Sequence, residues 1–202
     1  MMRLPAMMLL SAILSAVTVN LHAQEMTFQL DPAGTKVEIS LGASLHTVHG
    51  AFQTKSGTIH FNPSTGAASG LIVVEATSGD TGNDGRDRKM HREILRSQQY
   101  PEVTFTPSRV VGTLPSQGGS TVQVEGVLRL LGQDHPIVVS VPVQTSADTV
   151  TANTQFVVPY IAWGLKNPST FLLRVSDKVT VHVTATGRLT STGQHSASNT
   201  PQ

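Results

Sequence analysis

Along almost its whole length this chain alternates apolar with polar residues, and no other feature narrows its fold so far. Val37, Ile39 and Leu41 share one parity, while Lys36, Glu38 and Ser40 take the other. Ile59 and Phe61 alternate with Thr58 and His60. Val122, Val124, Gly126, Leu128 and Leu130 oppose Thr121, Gln123, Glu125, Val127 and Arg129. Ile137, Val139, Val141 and Val143 make a further face, and Val179, Val181, Val183 and Ala185 the last. Successive side chains of an extended strand point to opposite faces, so each run reads as a strand with one buried face. Turn residues at Asn62-Pro63-Ser64, Gln117-Gly118-Gly119 and Gly132-Gln133-Asp134 separate the runs. Strands this closely spaced leave no room for crossover helices. The pattern therefore predicts an all-β, antiparallel sandwich or barrel of about eight strands.

Composition removes several classes of function. Among 202 residues there is no Cys, which excludes disulfides, thiolate zinc sites, cysteine nucleophiles and a lipid anchor on Cys. The net charge of +1 carries no general nucleic-acid footprint. Charged residues make up 13%, well below the ~25% usual for soluble domains. Residues 1–23 read as a secretory signal: Arg3 is the positive start, Ala6 to Val19 the apolar stretch, and Leu21-His22-Ala23 the cleavage site. That stretch is shorter than the ~20 residues a membrane-crossing helix needs, so no stable span is expected. A mature chain beginning at Gln24, in the periplasm or secreted, is the expectation. Residues 24–189 then form the domain, and the polar segment 190–202 a disordered tail.

One segment departs from the alternation. Arg86 to Ser97 contains no Gly or Pro, and Met90 and Ile94 stand four apart, beside Leu95. A single short helix is expected there, capped by Asp84 and stopped before Pro101.

No motif in the chain carries catalytic chemistry. Asp80-Thr81-Gly82-Asn83-Asp84-Gly85 starts like a calcium loop, but Gly82 and His91 occupy positions three and twelve, where ligating oxygens are required. His46 and His49 fall on opposite faces of a strand end, and His60 and His182 on the polar parity of theirs. Neither Gly-x-Ser-x-Gly nor a phosphate-cradling glycine loop is present. The expectation is no enzyme, no metal site and no cofactor. The apolar parity remains, and alternation alone does not separate a filled barrel from one that encloses a ligand.

Several landmarks, in order, resemble the YceI-like family of exported polyisoprenoid-binding proteins. They are Leu30-Asp31-Pro32, Val48-His49-Gly50-Ala51-Phe52, Gly57-Thr58-Ile59-His60-Phe61, the helix start Arg86-Asp87, Tyr100-Pro101-Glu102-Val103-Thr104-Phe105, and Val124-Glu125-Gly126-Val127-Leu128 with the following Gly132. The likeness runs from about Met26 to Leu189. Two departures mark a divergent branch. Ile94-Leu95 stands where the family often pairs aromatics, and Gln133-Asp134-His135-Pro136 replaces the usual Thr and basic residue after the glycine turn.

The resemblance implies an extended, lipocalin-like antiparallel barrel with one short helix. Its lumen would take a long amphiphilic isoprenoid, a polyprenyl phosphate or a quinone, without catalysis. The tunnel wall would then be Val37, Ile39, Phe52, Ile59, Phe61, Phe105, Phe156 and Val181, joined by Met90 and Ile94 from the helix and Trp163 at a barrel end. Arg86 and Asp87 match the family motif and read as a structural ion pair or a helix-start pair, with ligand contact as the alternative. Arg88, Arg92 and Arg96, four apart on a helix, would form a basic ridge. That ridge is either a solvated face, with Glu93 pairing Lys89, or a phosphate-binding head-group site. Two other classes stay open at this point: a barrel enzyme acting on an apolar substrate, and a structural β module with a packed core.

Overall fold

The computed structural model describes residues 25–170 and 173–191. The leader assigned to 1–23 and the tail from 192 onward lie outside the described residues. Ten strand segments form the sheet: β1 (Met26–Leu30), β2 (Lys36–Gly42), β3 (Thr47–Phe52), β4 (Thr54–Phe61), β5 (Ala68–Glu75), β6 (Glu102–Val111), β7 (Gln117–Leu130), β8 (Gln133–Ser146), β9 (Thr149–Val158) and β10 (Val179–Ser191). All pairings are antiparallel, in the order β1-β4-β5-β6-β7-β8-β9-β10-β2-β3, and a further β1–β10 pairing closes the ring. Closure gives an eight-stranded barrel, with β2 and β3 extending two of its staves.

The difference between ten segments and eight staves has a local cause. β1 and β2 both lie along β10, Met26–Leu30 against Ser191–Gly187 and Lys36–Ser40 against Thr184–Thr180. Between them Pro32 has no N–H to give to a ladder. The Asp31 carboxylate accepts the Ala33 N–H at 3.1 Å, and the Thr35 hydroxyl donates to the Asp31 carbonyl at 2.7 Å. One stave is thus bent rather than continuous. β10 also outruns the boundary drawn at Leu189, since Thr190 and Ser191 pair with Thr27 and Met26.

Two turn expectations need correction. Gln117-Gly118-Gly119 is the start of β7, paired with Ser146-Thr145-Gln144, because the real break falls earlier, at Gly112–Ser116. The β7–β8 hairpin turns on Leu131 and Gly132 alone, with φ of 53° and 74°, so Gln133 and Asp134 already belong to β8. Two residues at positive φ match the twist of the strands they join. Leu131 accepts that strained geometry while being only 7% exposed, held by its burial.

Inward residues do not fill the barrel evenly. One cluster, Leu130, Leu131, Val158, Tyr160 and Leu165, packs at one end, and all but Leu131 also line the space inside. Another, Val122, Val143 and Val150 with Phe28, Val110 and Leu189 against them, closes the opposite end. Between the two, Phe105 lies flat across Gly126, where an added Cβ would sit 2.5 Å from both the Phe105 ring and the Thr106 carbonyl. Gly126→Ala is therefore expected to destabilise the fold by ~1–3 kcal/mol. At Gly85, whose nearest neighbour to an added Cβ is 3.4 Å away, the same change should be neutral or slightly stabilising. Urea unfolding of the two variants checks the contrast.

Candidate functional site

The space left between the end clusters is a cavity of about 700 Å³. Its wall is almost wholly aliphatic and aromatic, because only inward-parity side chains reach it. Val37, Ile39, Phe52, Ile59, Phe105, Phe156 and Val181 line it from the strands, and Met90 and Ile94 from the helical segment. Two of the named wall residues stand elsewhere. Phe61 is buried on the inward parity, two residues beyond Ile59, outside the cavity. Trp163 stacks on His135, with ring centroids 4.0 Å apart and planes within 5°, and does not line the cavity.

The helical segment differs from its sequence reading in a way that reassigns the cations. Helix α1 covers Asp84–Lys89, and its cap is Asn83 rather than Asp84, with the Asn83 side chain accepting the Arg86 N–H at 2.9 Å. A wider π-type turn follows over Met90–Ile94, where the Leu95 N–H donates to the Met90 carbonyl at 2.8 Å. That widening shifts the helical phase and brings Met90, Ile94 and Leu95 together onto the cavity. The chain then leaves the helix at Arg96, with φ of 46°.

The basic ridge is consequently absent. Arg88 and Arg92 are exposed, Arg92 meets Glu93 at 2.7 Å, and the Arg96 guanidinium lies 5.0 Å from the centre of the Tyr100 ring. None of the three lines the cavity. Glu93 does not pair with Lys89. It accepts from Lys166 at 2.8 Å and from Arg92, tying the π-type turn to the chain beyond Leu165.

The cations that reach the cavity are Arg86 and Lys89, three apart on one face of α1. Arg86 donates through Nε to the Thr81 hydroxyl and through Nη2 to the Thr81 carbonyl, both at 2.7 Å. Asp87 accepts the Thr81 N–H at 3.1 Å, so the Arg86-Asp87 pair does organise the helix start. Lys89 donates to the Pro168 carbonyl at 3.5 Å. Around these cations His46, Ala43, Pro168 and Val175 form the mouth. Among the described residues no carboxylate lines the cavity. His46 shares its parity with Val48, a signal already present in the sequence. Lys89 was hidden, because the reading of an unbroken helix drew attention to Arg88, Arg92 and Arg96 instead.

A few polar groups interrupt the wall. Thr54 is 8% exposed and its hydroxyl has no partner, whereas Tyr160 donates to the Ser176 carbonyl at 2.6 Å. Burial, then the nearby Asp177 charge, pushes the Tyr160 phenol above its ordinary value, so it stays a neutral donor. Of the histidines, His60 meets Thr27 at 2.9 Å, and His91 bridges Ser97 at 3.0 Å and the Gly79 carbonyl at 2.8 Å.

Comparison with known proteins adds to this geometry. The family described as YceI-like domain matches residues 28–187. Curated relatives named UPF0312 proteins, from two strains of Vibrio cholerae, are 26% and 28% identical over 133 residues, covering 62% of this chain and 67% of theirs. Among solved structures, the chain resembles a polyisoprenoid binding domain from Saccharophagus degradans implicated in plant cell wall breakdown. The TM-score is 0.65 at 19% identity, covering 80% of this chain and 97% of that one. BcnA of Burkholderia cenocepacia gives 0.63 at 19% identity, with 78% and 98% covered. At these identities the structures establish a shared fold.

The tether of the helical segment should respond to acid. Hydrogen bonds from Lys166, then Arg92, lower the Glu93 carboxyl from its ordinary 4.5 to about 2. A depressed carboxyl contributes its stability above the unfolded value and loses it as pH falls through the folded one. Thermal unfolding followed from pH 4.5 down to 2 should show a falling midpoint, and Glu93→Gln should flatten that part of the profile.

Proposed function

From the chain's membership of the YceI-like domain family, we propose that it binds a long isoprenoid-type lipid in its barrel lumen, carrying or sequestering it without chemistry, in the periplasm or outside the cell. The observation that carries this reading is the cavity itself. It is enclosed by apolar side chains, has a volume typical of small-molecule sites, and is closed at one end by a packed cluster. A structural module would gain stability by filling that space, since unfilled apolar volume costs cohesive contacts. The polyisoprenoid binding domain of Saccharophagus degradans shares the architecture, and the ligand named for it supports this reading. For a lipid-active barrel enzyme one would look for paired titratable groups facing the lumen. Here the wall holds His46, Arg86, Lys89 and Tyr160, with no carboxylate beside them among the described residues.

The mouth favours an anionic head group over a neutral quinone. Arg86 and Lys89 place positive charge at the rim, and Lys89 has no acidic partner among the described residues. A phosphate there would gain charge-assisted hydrogen bonds that a quinone carbonyl does not match. Mass spectrometry of protein purified without added lipid should reveal a copurified isoprenoid, and a clean apo mass with no uptake of offered prenyl lipids would favour the packed module. Lys89→Gln should weaken binding of a prenyl phosphate about tenfold, ~1.4 kcal/mol, and reduce its salt dependence, leaving a prenyl quinone unaffected. Equal losses for both ligands would remove the head-group assignment.

A further inference from the structure

Neighbouring strands around a barrel are held by backbone ladders, and the ladder between β8 and β9 stops well short of the strands' shared length. β8 and β9 are joined by a tight hairpin, and their ladder runs from Ser146–Thr149 only as far as Val143–Ala152. Beyond that point residues 133–142 of β8 and 153–158 of β9 continue as strands, each paired on its other side, to β7 and to β10. No ladder joins them to one another. Other interruptions are shorter or bridged, and the outer edge of β3 is joined to the segment before α1 by the reciprocal Ala51–Asp80 bonds of 2.8 and 3.0 Å. β5 and β6 part near Pro107, which has no N–H to give, and meet again at the Ala67–Arg109 bridge and the Val110 N–H to Gly66 carbonyl bond of 2.8 Å. The bend between β1 and β2 is backed by the buried Thr35 and Thr54.

Along the β8–β9 seam the cavity wall and the outer surface are both apolar. Val139 and Val141 face the lumen on one side of it, Phe156 and Val158 on the other. On the outside, Val138 and Val157 are 64% and 53% exposed, two of the few large apolar side chains left in water. Continuing the register of the hairpin would set these two valines opposite each other. Two contacts hold the seam. The Thr154 hydroxyl donates to the Ser140 carbonyl at 2.8 Å, at the place where a strand would offer an N–H. The His135–Trp163 stack joins the start of β8 to the turn that follows β9.

We propose that this seam is a lateral slot through which the apolar chain of the ligand enters and leaves the lumen, with the Thr154–Ser140 hydrogen bond and the His135–Trp163 stack as its clasps. The proposal rests on the lumen being a lipid site. A long chain threading end-on would have to pass Arg86, Lys89 and His46, whereas sideways passage keeps it on apolar side chains throughout. The clasps suit repeated opening: each is one contact between side chain and strand or between two side chains, and neither is part of a backbone ladder.

The absence of cysteine makes the seam directly testable. In Val138→Cys/Val157→Cys, a short bis-maleimide would bridge the slot. Thr104→Cys/Arg129→Cys, an opposed pair across the intact β6–β7 ladder, serves as control. All-trans-retinol, a fluorescent neutral isoprenoid, is mixed with each protein in a stopped flow. Bridging the slot should slow retinol uptake and release at least tenfold with equilibrium capacity retained, and the control bridge should change neither rate. Loosening the clasps with Thr154→Val and Trp163→Ala together should accelerate exchange several-fold, a result that does not depend on the bridge closing. Unchanged rates in both the bridged and the loosened protein would overturn the slot and assign passage to the mouth. Failure of the unmodified protein to bind retinol or any prenyl lipid at equilibrium would overturn the lumen reading itself, and the slot with it.

Discussion

The ring of backbone hydrogen bonds, completed where β10 divides one edge between β1 and β2, is the constraint on which everything else in this protein depends. A sheet with free edges would present unpaired N–H and C=O groups and would have to cover its apolar face with another layer. Closing it removes most of those edges and gives the apolar parity a single shared interior. Because backbone bonds around the wall hold the cross-section, the interior does not have to be solid to keep its shape. Pro32, Asp31 and Thr35 are the local device that makes the closure possible, since they bend one stave so that it can follow β10 along two successive stretches.

Side chains then decide where the barrel is full and where it is empty. The two end clusters supply the packing that a small β protein needs, roughly 25 cal/mol per Å² of apolar surface removed from water. The middle is kept open by geometry. Phe105 is spread against Gly126 and Phe28 against Gly187, so the rings lie along the wall and leave the axis free. Those glycines contribute space in the one dimension that matters to a ligand, the width of the lumen.

The helical segment links fold to recognition. Asn83 starts it, Thr81 is gripped by Arg86 and Asp87, and Glu93 ties its far end to Lys166. Held at both ends, the segment presents Met90 and Ile94 to the lumen and Arg86 and Lys89 to its mouth. Apolar and cationic side chains thus stand on different parts of the same short element.

Much of this was legible in the residues. Period-two parity sorts inside from outside because side chains on a strand have only two directions, and the inward parity of Val37, Ile39, Ile59, Phe105, Phe156 and Val181 is the one the cavity touches. Absence of Cys and a near-neutral charge bounded the chemistry on their own. What parity leaves open is position along the barrel axis: Phe61 and Ile59 share a face, yet only Ile59 meets the cavity, because depth is set by how neighbouring strands stagger. The cations beside the apolar helix face were beyond reach for a related reason. A single widened turn, stabilised by packing of Met90, Ile94 and Leu95 over the barrel, moves Arg96 off the helix and puts Lys89 at the mouth. The length of the β8–β9 ladder was equally undetermined, since alternation continues through both strands whether or not they pair. By itself, then, the sequence determined which residues form strands, which faces are apolar and which chemistries are impossible, all of them local properties of a polypeptide. Only the tertiary structure decided the depth of each residue, the cations at the mouth and the seam in the wall, because each depends on the stagger and separation of elements distant in the chain.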